Sequence, residues 1–483
     1  MDGLVAPISD VRFPSARAAV TILACLASVG WTLACQRAPR GRPSVLLVTV
    51  DTLRADFLHC YRFPLESSPE IDALAARGFL FENAIATASV TAPTHASIMT
   101  SLYPREHSIG TANGPTRLEG GTTLAEHFRA SGYATAAVVS NLVLSRRTAL
   151  DRGFQTYEEA HLLAEGDDES WGLAERTTQR ALAWLDAAQP PFFLWVHYGD
   201  PHGSYQPPPP FDTMFPSVPL GPNRPLPLLP QSWGPGGIPL YQALDGLQHP
   251  WDYNRLYAGE VAYADHWIGV LLDAVEGVAP RDALVVALTA DHGESLGEFN
   301  FYFQHGHATT PEMARVPLVI AAPGLGSGRV RGVVSQVDVS PTLLALAGLP
   351  PASDASGISL VRSMRGEPPP GSRVVFSEGD NEVSAYTADG YVRARRAPSR
   401  AQPESASASP PGSPRLRLQA WSRSQEGDWI AGSLDPALPG LIEAHFEREV
   451  PLTPAGAVSD AEREPLAALG YVLPPPESDE PAP

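Results

Sequence analysis

Lysine is absent from this chain: all 34 basic residues among its 483 are arginine, so any mechanism that needs a lysine amine is excluded. Cysteine is nearly absent. Of three, Cys25 and Cys35 lie in the N-terminal segment and only Cys60 falls beyond it. No intrachain disulfide is then available to the mature domain, and Cys60 reads as a small buried hydrophobe. Positive charge is also scarce, because 53 acids set against those arginines leave a net charge of −19. That balance argues against a nucleic-acid partner or an anionic membrane surface. What is present is a chain long enough for one large α/β domain and a smaller one, 43% apolar and 18% charged, with no internal repeat.

The N-terminus reads as a targeting segment. Arg12 and Arg17 precede an uncharged run, Ala18 to Ala34, which closes Thr32-Leu33-Ala34-Cys35. We read residues 1–34 as a signal peptide and Cys35 as a lipidation site, with a tether through residue 43. Cys25, after Ile22-Leu23-Ala24, is a competing site. A signal anchor is the alternative, although the run is short for a span and Arg37, Arg40 and Arg42 on its far flank oppose that orientation. The expected protein is exported, membrane-anchored or periplasmic or extracellular, and touches the membrane only through this segment.

Ser44 to Val50 is a continuous apolar run. It predicts a strand buried on both faces of a parallel sheet, with Asp51 at its carboxyl end, where open α/β sheets bind ligands. Ser68-Pro69-Glu70 predicts a helix start and Gly78 its stop. Strand-like and helix-like stretches then alternate over 134–140, 169–188, 192–197, 256–275, 283–289 and 316–321, the pattern of a doubly wound fold. Residues 206–250, with PPPPF, PLPLLP and WGPGG, predict an irregular loop. It follows Asp200 and His202 directly, so we place it as a rim or lid over the site mouth. The catalytic domain is placed at 44–350 and a C-terminal subdomain at 351–483, with a disordered Ser/Pro/Ala stretch over 402–414.

Two predicted strands end in chemistry, Asp51 after the first and Asp291-His292 after LVVALTA. If they are neighbours in the sheet, two carboxylates and an imidazole meet in one crevice, a set that suits a divalent cation. Thr91, in VTAPTHASIMTS, stands at or just before a helix start. There its hydroxyl can cap the helix, contact a metal or attack a phosphoester.

Eight segments in order, RPSVLLVTVDTLRAD, TAPTHASIMTSLYPREHSIG, YGDPHGSY, YAGEVAYADHWIG, LTADHGESLGE, ARVPLVIAAPG, VDVSPTLLALAGL and LAALGYV, resemble the sulfatase branch of the alkaline-phosphatase superfamily. The resemblance implies an alkaline-phosphatase-like α/β fold, a mostly parallel sheet flanked by helices, with a smaller α+β C-terminal subdomain. One departure outweighs the matches. The family's sulfatases carry Cys-x-Pro-x-Arg where this chain has Thr91 and His95, so the formylglycine nucleophile cannot be made.

Carried over residue by residue, the resemblance implies Asp51, Thr91, Asp291 and His292 around one metal. Asp200, His202 and one of His305 or His307 would surround a second. His307 aligns with the family's sulfate-binding lysine, and a one-metal enzyme in which His305 and His307 contact substrate oxygens stays open. His197 reads as a supporting or core histidine. The family also has two adjacent acids where this chain has Asp51-Thr52, and an asparagine where it has His292. Imidazole in the set favours Zn²⁺ or Mn²⁺ over Ca²⁺.

The expected activity is metal-dependent hydrolysis of phosphate mono- or diesters through a covalent Thr91 intermediate, with a small-molecule, glycan or lipid ester as substrate and Thr91 and His95 as the catalytic pair. The alternatives are sulfate-ester hydrolysis without formylglycine, transfer of phosphoethanolamine or phosphoglycerol groups, and a catalytically silent binding module.

Overall fold

The seven residues Ser44–Val50 form β1, every one of them buried, and the domain is assembled outward from this strand. The structure is a computed structural model. It describes residues 41–111, 116–160, 174–231, 233–367, 373–379, 381–396, 416–423, 429–433 and 435–448. The expected signal peptide, Cys35, most of the expected tether, the 402–414 stretch and the LAALGYV segment lie outside the described residues.

Among the described residues, eleven strands precede residue 350: β1, β2 (Phe79–Ile85), β3 (Ala134–Val139), β4 (Thr156–Glu159), β5 (Phe192–Tyr198), β6 (Leu284–Ala290), the hairpin β7 (Ser295–Leu296) and β8 (Tyr302–Gln304), β9 (Arg315–Val316), β10 (Leu318–Ala321) and β11 (Gly328–Ser335). The main sheet runs β11-β2-β10-β6-β1-β5-β3-β4, with β9 beside β2. β1 is parallel to both neighbours, β5 and β6. β10 runs antiparallel between β6 and β2, so the sheet is mixed but mostly parallel. Largely apolar runs, rich in Val in β1 and β6 and in aromatics in β5, form these strands because helices cover both faces of the sheet and no face is left for polar alternation. The expected α/β fold class is the one observed.

Helices Pro69–Arg77 and Pro250–Val278 pack together. The first starts at Ser68-Pro69 and ends at Gly78, as expected, but the Ser68 side chain makes no capping bond. Instead Asp265 of the long helix accepts from the Glu70 and Ile71 amides, at 3.0 and 2.8 Å. A buried carboxylate thus takes the orphan donors that a serine hydroxyl takes elsewhere. The Pro/Gly-rich stretch is irregular, as expected. It is held against the β7–β8 hairpin by Gly236 N–H to Asn300 O at 2.7 Å and by Gln304, which bonds Gly234 through both its amide atoms.

Beyond residue 350, β12 (Val375–Gly379), β13 (Glu382–Tyr386), β14 (Gly390–Arg396), β15 (Leu416–Arg423) and β16 (Trp429–Ala431) form one antiparallel sheet in that order, backed by helix Leu438–Phe446. This is the α+β C-terminal layer. Val375, Tyr386 and Tyr391 close a small core with Ile85, Ala314 and Val333 of the main sheet region. Among the described residues no helix is long and apolar enough to cross a membrane.

Candidate active site

The register of β1 on β6 creates the site. Val50 pairs with Ala290, so Asp51 and Asp291 leave adjacent strands side by side, at a spacing set by the roughly 4.8 Å between neighbouring strands. Both are fully buried. Asp291 Oδ1 accepts the Thr52 and His292 amides at 3.1 and 2.6 Å. Asp51 Oδ2 accepts from Asn141 Nδ2 at 2.8 Å. Thr52 holds a left-handed φ of 54°, a strained conformation for a β-branched residue, of the kind that clusters at functional sites.

His292 fixes its own tautomer. Its Nδ1 lies 2.9 Å from the Gly293 carbonyl, so that nitrogen donates and Nε2 carries the lone pair. Nε2 is 3.5 Å from Asp291 Oδ2 and 3.9 Å from Asp51 Oδ1, and Thr91 Oγ1 is 3.4 Å away. Burial holds the imidazole below its usual pKa, against the opposing pull of Asp291.

Thr91 opens a ten-residue helix, Thr91–Thr100, buried throughout, and the capping position belongs to Val90. Thr91 is the first helical residue, so its hydroxyl stands at the positive end of the helix dipole, beside amides with no partner in the helix. His95, expected as a catalytic partner, lies beneath. Its Nδ1 bonds the Thr91 carbonyl at 2.8 Å and its Nε2 the Thr49 hydroxyl at 3.0 Å, and Trp195 Nε1 donates to that hydroxyl at 2.9 Å. With both nitrogens engaged, His95 ties the helix start to β1, and one of its ring nitrogens also lies within 4.8 Å of ligand atoms of His197 and Asp291. Sequence reasoning missed two others. Asn141, directly after β3 and Ser140, orients Asp51. Gln336 donates to the Ala290 and Asp291 carbonyls and accepts from the Thr87 amide, joining the end of β6 to the segment that leads into Thr91.

The second expected set divides. His202 and His305 come together, ring centroids 5.0 Å apart, and His305 lies 4.5 Å from His292. Burial brings both down to about 4. Glu294, which the sequence reading did not single out, contacts His305 Nδ1 at 3.3 Å and accepts from Tyr205 at 3.1 Å. Burial raises it to about 7, against the neighbouring His202 and His292. Asp200 points elsewhere: it accepts the Ala174 amide at 2.7 Å and sits against Glu260, where its charge adds to the burial that raises that carboxyl. Among the described residues Asp200, His202 and His305 do not converge as a metal-holding group, and the Asp200 carboxylate binds the start of helix Ala174–Leu185. His307 is also apart, stacked on Phe301 at 3.8 Å. His197 is closer in than a core histidine, with Nε2 3.7 Å from Asp51 Oδ2.

A divalent cation fits this donor set. Asp51 Oδ1 and Asp291 Oδ2 are buried with no hydrogen-bond partner, and their ligand atoms and that of His292 all lie within 4.8 Å of one another. Burial, and then the charge of Asp291, raises Asp51 well above the usual carboxylate range, while Asp291, despite its burial, is held low by His292, His95 and His197. Two orphaned carboxylate oxygens beside an imidazole lone pair, with the other ring nitrogen on a backbone carbonyl, form the arrangement of metal ligands and their supporting shell.

A strand-end carboxylate pair beside a buried helix start, on a mostly parallel sheet with an antiparallel C-terminal layer, fits the alkaline-phosphatase superfamily to which the sulfatase family belongs. The sulfatase family profile matches residues 43–349, and the chain belongs to the sulfatase family. Human iduronate 2-sulfatase is 28% identical over 331 residues, 58% of this chain and 60% of that protein. Choline-sulfatase of Rhizobium meliloti is 27% identical over 384 residues, 68% of this chain and 72% of that protein. Among solved structures, phosphonate monoester hydrolase from Silicibacter pomeroyi superposes with a TM-score of 0.64 at 20% identity, covering 84% of this chain and 96% of that one.

Proposed function

We propose that this chain is a metal-dependent phosphoesterase in which Thr91 is the covalent nucleophile. The observation that carries the reading is the Thr91 hydroxyl at the first turn of a buried helix, 3.4 Å from His292 Nε2, which itself lies 3.5 and 3.9 Å from two carboxylate oxygens with no hydrogen-bond partner. Asp51, Asp291 and His292 would hold a divalent cation, which lowers the pKa of a nearby hydroxyl and neutralises charge on the transferring group. Thr91 Oγ1 attacks phosphorus in line, the bond to the alcohol oxygen breaks, and the alcohol leaves with a proton. Water then cleaves the phosphothreonine, its oxygen staying on phosphorus and a proton returning to Thr91. Asn141 and His95 hold Asp51 and the helix start in register for this.

Sulfate-ester hydrolysis is the second reading, favoured by the names of the sulfatase relatives. A phosphomonoester dianion carries more charge than a sulfate monoester. A cation site in a chain without lysine therefore favours phosphate through transition-state charge neutralisation.

The test combines elemental analysis of purified protein with a panel of matched aryl phosphate, phosphodiester, phosphonate and sulfate esters. Phosphoesters should be cleaved fastest. Thr91→Ala should lower turnover by on the order of a thousandfold while metal stays bound, and Thr91→Ser should keep much of the activity. A tenfold preference for the aryl sulfate, or full activity in Thr91→Ala, would sink the reading.

A further inference from the structure

The helix that begins at Thr91 is gripped on both sides by one buried residue of the C-terminal layer, and the chemistry above does not use it. Upstream of the helix, Glu378 of β12 lies beside Ala88 in a parallel bridge, its amide donating to the Thr87 carbonyl at 2.7 Å. The Thr87 amide is the one that Gln336 accepts. Downstream, in the turn that follows the helix, Arg105 Nε faces Glu378 Oε2 at 3.4 Å. The other carboxylate oxygen, Oε1, accepts from His445 Nε2 at 2.6 Å. His445 stands on helix Leu438–Phe446, and its ring is clamped, with Phe376 stacked on it at 4.0 Å and the edge of Tyr103 at 5.1 Å. The Arg105 guanidinium also lies over the Phe446 ring, at 4.7 Å.

Stability alone is a poor reason for this arrangement. Glu378 and His445 are both buried, and well-packed apolar side chains of the same volume would join the two layers as firmly or more so. A charge-assisted hydrogen bond adds direction, because it fixes distance and angle where apolar contact lets neighbours slide. Here the direction bears on a helix whose first residue is Thr91. Misplacing a reacting group by about 1 Å can cost on the order of a hundredfold in rate.

We propose that Glu378 and His445 are positioning residues for the nucleophile: through this pair the C-terminal layer sets the place of Thr91 Oγ1 relative to Asp51, Asp291 and His292. The object of the positioning rests on the Thr91 reading; the hold on the helix does not. His445 aims the carboxylate from the C-terminal helix, the Glu378 amide holds the segment that enters the Thr91 helix, and Oε2 holds the turn that leaves it.

The test sets His445→Ala and His445→Gln against Ile442→Ala. Ile442 is buried on the same C-terminal helix, in the apolar core with Val383 and Val392, so its truncation weakens the layer without cutting the pair. Under conditions where all three variants are folded, His445→Ala should lower kcat at least tenfold on the ester of the panel cleaved fastest, with KM and metal content within twofold of wild type. Glutamine can place an N–H where the histidine Nε2 stands, so His445→Gln should recover most of that kcat, and Ile442→Ala should keep it. Deuterium exchange of amides over 97–106 should be at least tenfold faster in His445→Ala and unchanged in Ile442→Ala. The proposal is overturned if His445→Ala keeps wild-type kcat, if Ile442→Ala loses as much kcat as His445→Ala, or if exchange over 97–106 does not change. Exchange is read without turnover, so the hold on the helix and the Thr91 nucleophile, tested by Thr91→Ala, can fail separately.

Discussion

At the scale of single residues, the site depends on how few hydrogen bonds its carboxylates make. Asn141→Ala removes the 2.8 Å bond to Asp51 Oδ2 without touching a donor atom of the metal set. We expect a metal affinity ~10–100-fold weaker, as when other outer-shell partners are lost, whereas Asp291→Ala should lose metal and activity together. Metal titration of the two variants checks this, and unchanged affinity in Asn141→Ala would deny Asn141 its role. Asp51, Thr91, Asp291 and His292 were legible in the sequence because each stands at a strand end or a helix start, where backbone pattern alone predicts position. Asn141 was not, since an asparagine after a strand looks like any loop residue. Asp200 misled for a related reason: chain order puts it beside His202, but the direction of its carboxylate was decided by an amide donor of helix Ala174–Leu185 and by Glu260, far along the chain.

At the scale of elements, the helix Thr91–Thr100 is held by a histidine outside it. His107 Nε2 bonds the Pro93 carbonyl at 3.2 Å and its Nδ1 accepts the Ile109 amide at 3.3 Å, so the ring is neutral with both nitrogens in use. Burial lowers its pKa to about 4, against about 6.5 in an unfolded chain. The unfolded chain therefore takes up the proton first. His107's contribution to stability is whole above pH 6.5 and is lost as pH falls toward 4, on the order of 3 kcal/mol in all at about 1.4 kcal/mol per pH unit. His107→Gln should flatten stability between pH 6.5 and 4, measured by denaturant unfolding at several pH values. An unchanged slope would place the acid sensitivity in other groups. Strands β1, β5 and β6 were readable as unbroken apolar runs. β2 was not, because Glu82 and Asn83 interrupt it at half-buried positions. The antiparallel insertion of β10 is a matter of pairing, which local pattern does not encode.

At the scale of the whole molecule, the C-terminal layer is fastened by buried charge. Glu382 Oε1 accepts from the Thr309 amide and hydroxyl at 2.8 and 2.7 Å, while its Oε2 faces Arg393 and Arg395. Glu378 bonds His445 at 2.6 Å and pairs with Arg105 at 3.4 Å. Glu382→Ala leaves Thr309 and two guanidinium groups without their acceptor and should cost about 3 kcal/mol, read by chemical denaturation; a cost below about 1 kcal/mol, typical of an exposed pair, would show that the fastening lies elsewhere. The N-terminal segment is tested separately: Cys35→Ser should release the protein from the membrane fraction or leave its signal uncleaved, and Cys25→Ser should change neither.

The carboxylates issue from the middle of the sheet, and this sets where the protein is stiff. Backbone amides of Val50 and Ala290 can exchange with deuterium only when the central strands part, which is global unfolding. The Pro/Gly-rich stretch, by contrast, is tied to the β7–β8 hairpin by isolated bonds such as Gly236 N–H to Asn300 O at 2.7 Å. Exchange should therefore be slower in the strands that carry the two carboxylates than in the Pro/Gly-rich stretch, and the spacing of those carboxylates lasts as long as the fold itself.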